Sequence, residues 1–398
     1  MSDSSNIPAD VDEIEIEIEK IVDGGQGLAR RDGLPIFVPR SAPGDRLRVT
    51  LVERRPHYAR AEIVKILEPG PGRREAPCSF FESCGGCDLQ HLEDSLQTEL
   101  KVEAARETLT RLGGVELPER QSVVRGDAWA YRLRTQLQVL PGEERSEVGY
   151  HARGTHELVS VNRCPVLVPE LERQLGGLPR QLAGEKLHRL DLLASADELS
   201  AAPPVAGMSG KEVTFEAGGF RYRLDARVFF QGHAGLLDEL IQSVLEDDEG
   251  ESAVDLYSGV GFFTLPLARR YEQVTAVEGD RVAVRYARKN VRLNKLQNVD
   301  LVSTAVESWI GRLPEAVDRV VLDPPRVGLT PKVRVRLLDR GPKRLTYVSC
   351  HTAALARDLK ILQRMFELEG LVFLDLFPQT GHLEIVAQLR RRPGNETV

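Results

Sequence analysis

Apolar and polar positions alternate at the start of the chain. Between residues 12 and 22, Ile14, Ile16 and Ile18 fall among acidic residues, the period of two expected of a strand with one buried face. Short apolar runs follow at 36–38, 47–51 and 61–67, with turn signals at Gly24-Gly25, Gly33, Pro43-Gly44 and Pro56. Short strands at this spacing predict a small β-barrel over residues 12–70, and Pro69-Gly70-Pro71-Gly72 reads as a linker. Leu92, Leu96 and Leu100, four apart, predict a helix. Residues 76–232 form a mixed, strand-rich central region. Helical spacing returns at 234–246 through Leu236, Leu237, Leu240, Ile241, Val244 and Leu245.

From Ser252 the texture changes. Strand-like runs at 253–257, 274–278, 299–303, 319–322, 345–349, 371–377 and 383–389 alternate with helical ones. That rhythm predicts an α/β domain over 233–398, a mainly parallel sheet covered by helices. Residues 1–11 are expected to be a disordered acidic tail.

Composition narrows the class. The chain has 398 residues, 41% hydrophobic and 28% charged, which excludes collagen, a disordered tail protein and a disulfide scaffold. No run of ~18 apolar residues occurs, so no membrane span is expected. The acidic first twenty residues lack the basic and apolar regions of a secretory signal, so the cytoplasm is the expected compartment. The net charge of −7 argues at first against a nucleic-acid partner. Its distribution reverses that reading: residues 1–19 hold seven acids and no base, and the remainder is neutral. Residues 20–67 carry ten Lys or Arg against five Asp or Glu, a basic module suited to phosphate.

The first α/β strand runs into Asp255-Leu256-Tyr257-Ser258-Gly259-Val260-Gly261. A glycine turn after a strand lets backbone approach a ligand at a helix N-terminus. Glu278 ends the second strand, 17 residues after Gly261, where an acid accepts ribose hydroxyls. The loop lacks a P-loop lysine and a third glycine, which favours adenosine without pyrophosphate, hence S-adenosylmethionine (SAM) over NAD. The fourth strand delivers Asp323-Pro324-Pro325-Arg326. Methyltransferases acting on amino groups carry an aromatic residue in the fourth position, so Arg326 argues against exocyclic-amine methylation.

The fifth strand ends in Val348-Ser349-Cys350-His351, and a helix follows. Its N-terminus is expected to stabilise a Cys350 thiolate and lower its pKa. The last strand begins Thr380-Gly381-His382-Leu383-Glu384, bringing a carboxylate to the same end of the sheet. One nucleophile and one separate base suit methylation of uracil carbon 5. Cys78, Cys84 and Cys87 form C-x5-C-x2-C, with Cys164 further on, a donor set for zinc or an iron–sulfur cluster.

From residue 12 to about 390 the sequence resembles the RNA uracil-5 methyltransferase family, which makes 5-methyluridine in 23S rRNA and tRNA. The resemblance implies a TRAM module, an OB-like RNA-binding barrel, at 12–70. It implies a central α+β domain with a 4Fe–4S cluster on Cys78, Cys84, Cys87 and Cys164, and a C-terminal Rossmann-like class I SAM domain. Phe229-Phe230-Gln231 matches a SAM-contacting motif and carries over Gln231; Tyr257, Gly259, Gly261, Glu278 and Asp323 fall on the cofactor side. Cys350 takes the nucleophile's place. Glu384, in Phe377-Pro378-Gln379-Thr380-Gly381-His382-Leu383-Glu384, takes that of the proton-abstracting base. Three positions depart from the family's usual asparagine: Gly232-His233-Ala234 follows the Phe-Phe-Gln motif, Phe262 follows the glycines, and His351 follows the nucleophile. Arg132, Arg134 and Arg153 are candidate RNA contacts. The implied function is a SAM-dependent RNA methyltransferase acting on 23S rRNA, with tRNA as the alternative and no obligate protein partner. Competing readings are an amine methyltransferase, an RNA-binding maturation factor with a degenerate SAM site, and a redox protein.

Overall fold

The alternating N-terminal segment resolves into two strands, β1 (Glu13–Glu17) and β2 (Lys20–Ile21), broken where the Ile18 N–H turns to donate to the Asp45 carbonyl at 2.9 Å. A computed structural model describes residues 13–196, 198–208 and 212–393; the tail expected to be disordered at 1–11 lies outside them. By its internal contacts the chain divides into two units, Met1–Glu107 with Pro378–His382, and Thr108–Phe377 with Leu383–Val398.

In the first unit, β1 and β2 join β3 (Gly27–Arg31), β4 (Leu34–Val38), β5 (Arg46–Arg55) and β6 (Tyr58–Glu68) in a six-stranded sheet ordered β1-β5-β6-β4-β3-β2. Alternate residues turn inward to one cluster, with Ile16, Ile18, Ile36, Val38, Leu47 and Val49 among its buried members. The sheet therefore wraps a single core. β3 was not legible as a strand, because its buried residues are Gly27, Leu28 and Ala29 in succession, followed by two exposed arginines. The Pro69–Gly72 stretch is tied down: buried Asp45 accepts from Gly70 N at 2.8 Å and from Arg73 Nε at 3.0 Å. The leucine-spaced helix is α1 (Asp94–Gly113).

The second unit contains three sheets. β8 (Arg134–Leu140), β9 (Glu147–His151), β10 (Leu158–Ser160), β11 (Arg189–Ser195) and β12 (Glu198–Ala202) form one, ordered β10-β9-β8-β11-β12; α2 (Pro169–Leu175) and α3 (Leu178–Gln181) lie between β10 and β11 in the chain. β13 (Val213–Ala217) and β14 (Phe220–Leu224) form a hairpin. The large sheet has eight strands in the order β17-β16-β15-β18-β19-β21-β20-β7. Its members are β7 (Arg120–Arg125), β15 (Gly250–Leu256), β16 (Tyr271–Glu278), β17 (Val299–Ser303), β18 (Arg319–Leu322), β19 (Arg344–Ser349), β20 (Phe366–Asp375) and β21 (Glu384–Arg391). The connecting helices are α4 (Leu237–Leu245) before β15, then α5 (Thr264–Arg270), α6 (Arg281–Leu293), α7 (Val306–Trp309), α8 (Pro331–Arg340) and α9 (Thr352–Leu362).

β15 to β19 are parallel, and β21 runs antiparallel between β19 and β20. Strand order reverses between β15 and β18. Such a switch point opens a crevice at the carboxyl ends of the strands, where α/β proteins bind ligands. The edge strand β7, whose sequence Arg-Gln-Ser-Val-Val-Arg lacks a buried alternation, pairs parallel to β20.

At the opposite end of β18, Arg319 is 1% exposed. It donates to the Leu245 carbonyl at 3.0 Å, the Val244 carbonyl at 2.6 Å, Thr346 Oγ1 at 2.7 Å and Asp248 at 2.9 Å. It therefore closes the C-terminus of α4 onto the sheet. Arg319→Ala is expected to destabilise the protein by about 3 kcal/mol, because it strands buried acceptors and a carboxylate. Urea denaturation measures this, and a loss below about 1 kcal/mol would contradict it.

Candidate active site

The glycine loop after β15 is shaped to receive a ligand. Tyr257, Gly259 and Gly261 adopt positive φ of 63°, 55° and 90°. A Cβ on Gly259 would meet nothing within 4 Å, so open space lies above it. Asn290 of α6 holds the loop by donating to the Val260 carbonyl at 3.1 Å. Glu278 Oε2 accepts from Gly259 N at 2.9 Å and Oε1 from Asp280 N at 2.7 Å. These bonds orient the carboxylate beside the loop and leave further lone pairs for a ligand's hydroxyls. The Tyr257 hydroxyl donates to Glu307 at 3.1 Å; burial, then the Glu307 charge, pushes the phenol pKa up. Asp255, fully buried, has a carboxyl raised to about 7 by desolvation; Thr264 Oγ1 donates to its Oδ2 at 2.5 Å while Oδ1 has no partner. Neither Glu307 nor Asp255 was singled out from sequence.

Gln231 is placed by its neighbour. Phe230 is buried and stacks on Phe215 at 4.5 Å, with Phe262 edge-on at 5.4 Å. The extended chain therefore turns Phe229 outward, 66% exposed, while Gln231 is buried with its Nε2 3.4 Å from Asp323 Oδ2. Phe262, where the family usually has asparagine, thus contributes a ring to the cluster that anchors Gln231. Its carbonyl also accepts from the Tyr222 hydroxyl at 3.0 Å.

Strand register brings the reactive groups together. Leu256 pairs with Leu322 and Leu322 with Tyr347, so Tyr257, Asp323 and Cys350 all stand at one end of the sheet. Ser349 pairs with Ile385 across the antiparallel β19–β21 ladder, which sets Cys350 beside Glu384. The electrostatics follow from this crowding. Burial raises the Asp323 carboxyl to about 7. Burial, then the Asp323 charge, holds the Glu384 carboxyl well above its usual range. The Cys350 thiol is pushed up to about 11, chiefly by burial and then by Glu384, while a hydrogen bond and the charge of Arg326 oppose the rise. This corrects the expectation of a lowered thiol pKa. The helix N-terminus is present, but desolvation and two carboxylates outweigh it.

His351 and His233 explain the other two departures. His351 is the N-cap of α9, its Nδ1 accepting from Ala354 N at 3.1 Å. His233 starts the short 3-10 turn before α4, its Nδ1 accepting from Gly235 N at 3.2 Å. Each imidazole supplies the acceptor that an asparagine amide would supply. His351→Ala is expected to cost about 1 kcal/mol and His351→Asn to recover most of it, read by thermal unfolding. In ligand-free protein, Cys350 alkylation is expected to be slow near neutrality and to rise with a midpoint near pH 11. Removing the opposing cation in Arg326→Gln should move that midpoint upward; an unchanged profile would show that Arg326 does not act on the sulfur.

Cys78, Cys84, Cys87 and Cys164 form no disulfide, and each is partly buried. Gly86 N donates to Cys84 Sγ at 3.3 Å, a contact that suits a charged sulfur. Within the second unit, Cys164 hydrogen-bonds with the buried Tyr150 hydroxyl. Among the described residues, no three His, Cys, Asp or Glu side chains are grouped to hold a metal ion. Arg134 is drawn toward Asp191 at 3.6 Å, and Arg132 Nε donates to the Arg134 carbonyl at 3.1 Å. No helix among the described residues is long and apolar enough to cross a membrane.

Comparison with known proteins bears on the same groups. Residues 210–392 match the family model described as tRNA (Uracil-5-)-methyltransferase, and residues 10–64 match the TRAM domain. The chain is 34% identical to a Pectobacterium atrosepticum protein named 23S rRNA (uracil(1939)-C(5))-methyltransferase RlmD, covering 91% of this chain and 90% of that one. A Cronobacter sakazakii protein of the same name is 34% identical, covering 92% of this chain and 94% of the relative. The crystal structure of the Pyrococcus abyssi tRNA (uracil-54, C5)-methyltransferase with S-adenosyl-L-homocysteine superposes with a TM-score of 0.74 at 25% identity, over 94% of this chain and all of that one. A switch-point crevice lined by the glycine loop, with a thiol facing a carboxylate, is thus joined to extensive likeness in sequence and fold: the chain belongs to the RNA uracil-5 methyltransferase family of SAM-dependent enzymes.

Proposed function

We propose that this enzyme forms 5-methyluridine in 23S rRNA, with Cys350 as nucleophile and Glu384 as the base. The observation that carries the reading is the pairing of the Cys350 and Glu384 strand ends beside Asp323. Carbon 5 of uracil is a poor nucleophile. Attack of the Cys350 sulfur at carbon 6 forms an S–C bond and an enolate, and carbon 5 of that enolate takes the methyl group from the SAM sulfonium. Glu384 then removes the carbon-5 proton. The released electron pair restores the ring double bond and expels the thiolate.

The electrostatics suit these roles. A carboxylate whose pKa is raised by burial is a stronger base toward a carbon-bound proton. Asp323, with a carboxyl near 7, is suited either to donate or to accept a hydrogen bond at the pyrimidine edge. Gln231, Tyr257, Gly259, Gly261 and Glu278 are assigned to the cofactor side, Glu278 on the ribose. A flipped base is required, since the sulfur must reach carbon 6 out of the stack.

Residues 12–70 are assigned to RNA binding as an OB-like barrel, 76–232 to a cluster-bearing region and 233–398 to catalysis, in the cytoplasm. Cys78, Cys84, Cys87 and Cys164 are assigned to a 4Fe–4S cluster. None of the four is in a disulfide, and the amide donor at Cys84 suits a charged, ligating sulfur. It would supply cross-linking of the chain, and no step above needs electron transfer.

The rRNA assignment rests on the relatives near 34% identity; the Pyrococcus abyssi structure supports tRNA as the alternative. Mass-spectrometric mapping of 5-methyluridine in both RNAs, from cells with and without the gene, decides between them. Cys350→Ala should abolish the modification, whereas amine methylation would survive it. A 5-fluorouridine oligonucleotide with SAM should trap an adduct at Cys350; its absence would overturn the mechanism.

A further inference from the structure

The chain leaves the catalytic unit for five residues. Pro378–His382 belongs by its contacts with residues 1–107, and Glu384 is the second residue after it returns. The loop is held with unusual completeness. Gln379 is 0% exposed, with a left-handed φ of 67° that a side-chain-bearing residue keeps only when its surroundings enforce it. Its N–H donates to Gln97 Oε1 at 3.0 Å, and its carbonyl accepts from Asp88 N at 2.8 Å and Leu89 N at 3.0 Å. Its side-chain Oε1 accepts from Gln97 Nε2 at 2.9 Å, and its Nε2 donates to Asp94 Oδ1 at 2.6 Å. Gly381 N donates to Asp88 Oδ2 at 3.0 Å. A Cβ on Gly381 would sit 2.3 Å from the Gly24 carbonyl carbon, so the loop also lies directly on the β2–β3 turn.

We propose that Gln97, Asp94 and Asp88 are positioning residues for proton abstraction: by fixing residues 378–382 they fix the start of β21 and hold Glu384 against the carbon-5 proton. The effect reaches Glu384 through the chain itself, which runs from residues 378–382 directly into β21. The contacts are matched to that role. They bind backbone groups on the loop and all of Gln379's hydrogen-bonding atoms, so they set the loop's path and not merely its proximity.

The inference rests on Glu384 being the base, and the test separates the two. Full-length protein carrying Gln97→Ala is compared with Glu384→Gln and the unsubstituted chain, using an unmodified RNA substrate and SAM labelled in the methyl group. If the base is misplaced, sulfur attack and methyl transfer still occur, but the carbon-5 proton stays and elimination cannot break the S–C6 bond. The expected result for Gln97→Ala is turnover at least tenfold lower, unchanged RNA affinity, and a denaturant-stable, methyl-labelled protein–RNA adduct like that of Glu384→Gln. Gln379→Gly is the second variant. It accepts the left-handed backbone without strain but loses the side-chain bonds, so it should give the same adduct, and it decides the matter if Gln97→Ala does not fold. Adduct in Glu384→Gln but in neither clamp variant overturns the positioning role and leaves the base assignment standing. No adduct in Glu384→Gln overturns both.

Discussion

The chemistry of this protein depends on one antiparallel ladder. β19 and β21 run in opposite directions, so the end of one strand is the beginning of the other. A thiol that terminates β19 and a carboxylate that opens β21 are thereby neighbours, without a loop having to bring them together. The reversal of β21 in an otherwise parallel core gives the ligand-binding crevice a thiol and a carboxylate on adjacent strands, the pair to which the proposed reaction assigns nucleophile and base.

That proximity has an electrostatic consequence. Asp323, Glu384 and Cys350 compete for one desolvated volume, and Arg326 is the cation that acts on both Cys350 and Glu384. Burial shifts Asp323, Glu384 and Cys350 all toward their protonated forms, so the sulfur of the unliganded site is held as a thiol. A reactive thiolate exposed permanently to solvent would be open to oxidation. Arg326, which in sequence stood out only as a departure from the amino-methyltransferase turn, is the residue that tempers this balance.

Much of the fold was legible because long, strongly patterned elements carry their own evidence. The seven strands of the α/β half form near the positions their apolar runs mark, and Cys350, Glu384, Gln231 and Glu278 sit at strand ends or in the segments that short motifs indicate. What escaped detection lacked such a signal. β7 has only two apolar residues, Val123 and Val124, and gains its place by pairing with a strand about 250 residues later. β3 buries three residues in succession, without the alternation that marks a strand. The Gln97–Gln379 bond joins glutamines 282 residues apart, and neither is remarkable in its local sequence. The thiol pKa could not be read either, since the helix N-terminus is visible in sequence while the depth of burial is a tertiary property.

The capping His233 carries a further implication. An asparagine amide accepts a hydrogen bond at any pH, but an imidazole accepts at Nδ1 only while that nitrogen is unprotonated. Burial holds the His233 pKa below the ordinary 6.5, so as pH falls below that value the unfolded chain takes up a proton that the folded chain resists, and stability declines. The helix start next to the Phe-Phe-Gln segment is therefore tied to acidity through the backbone, independently of any group that takes part in bond making.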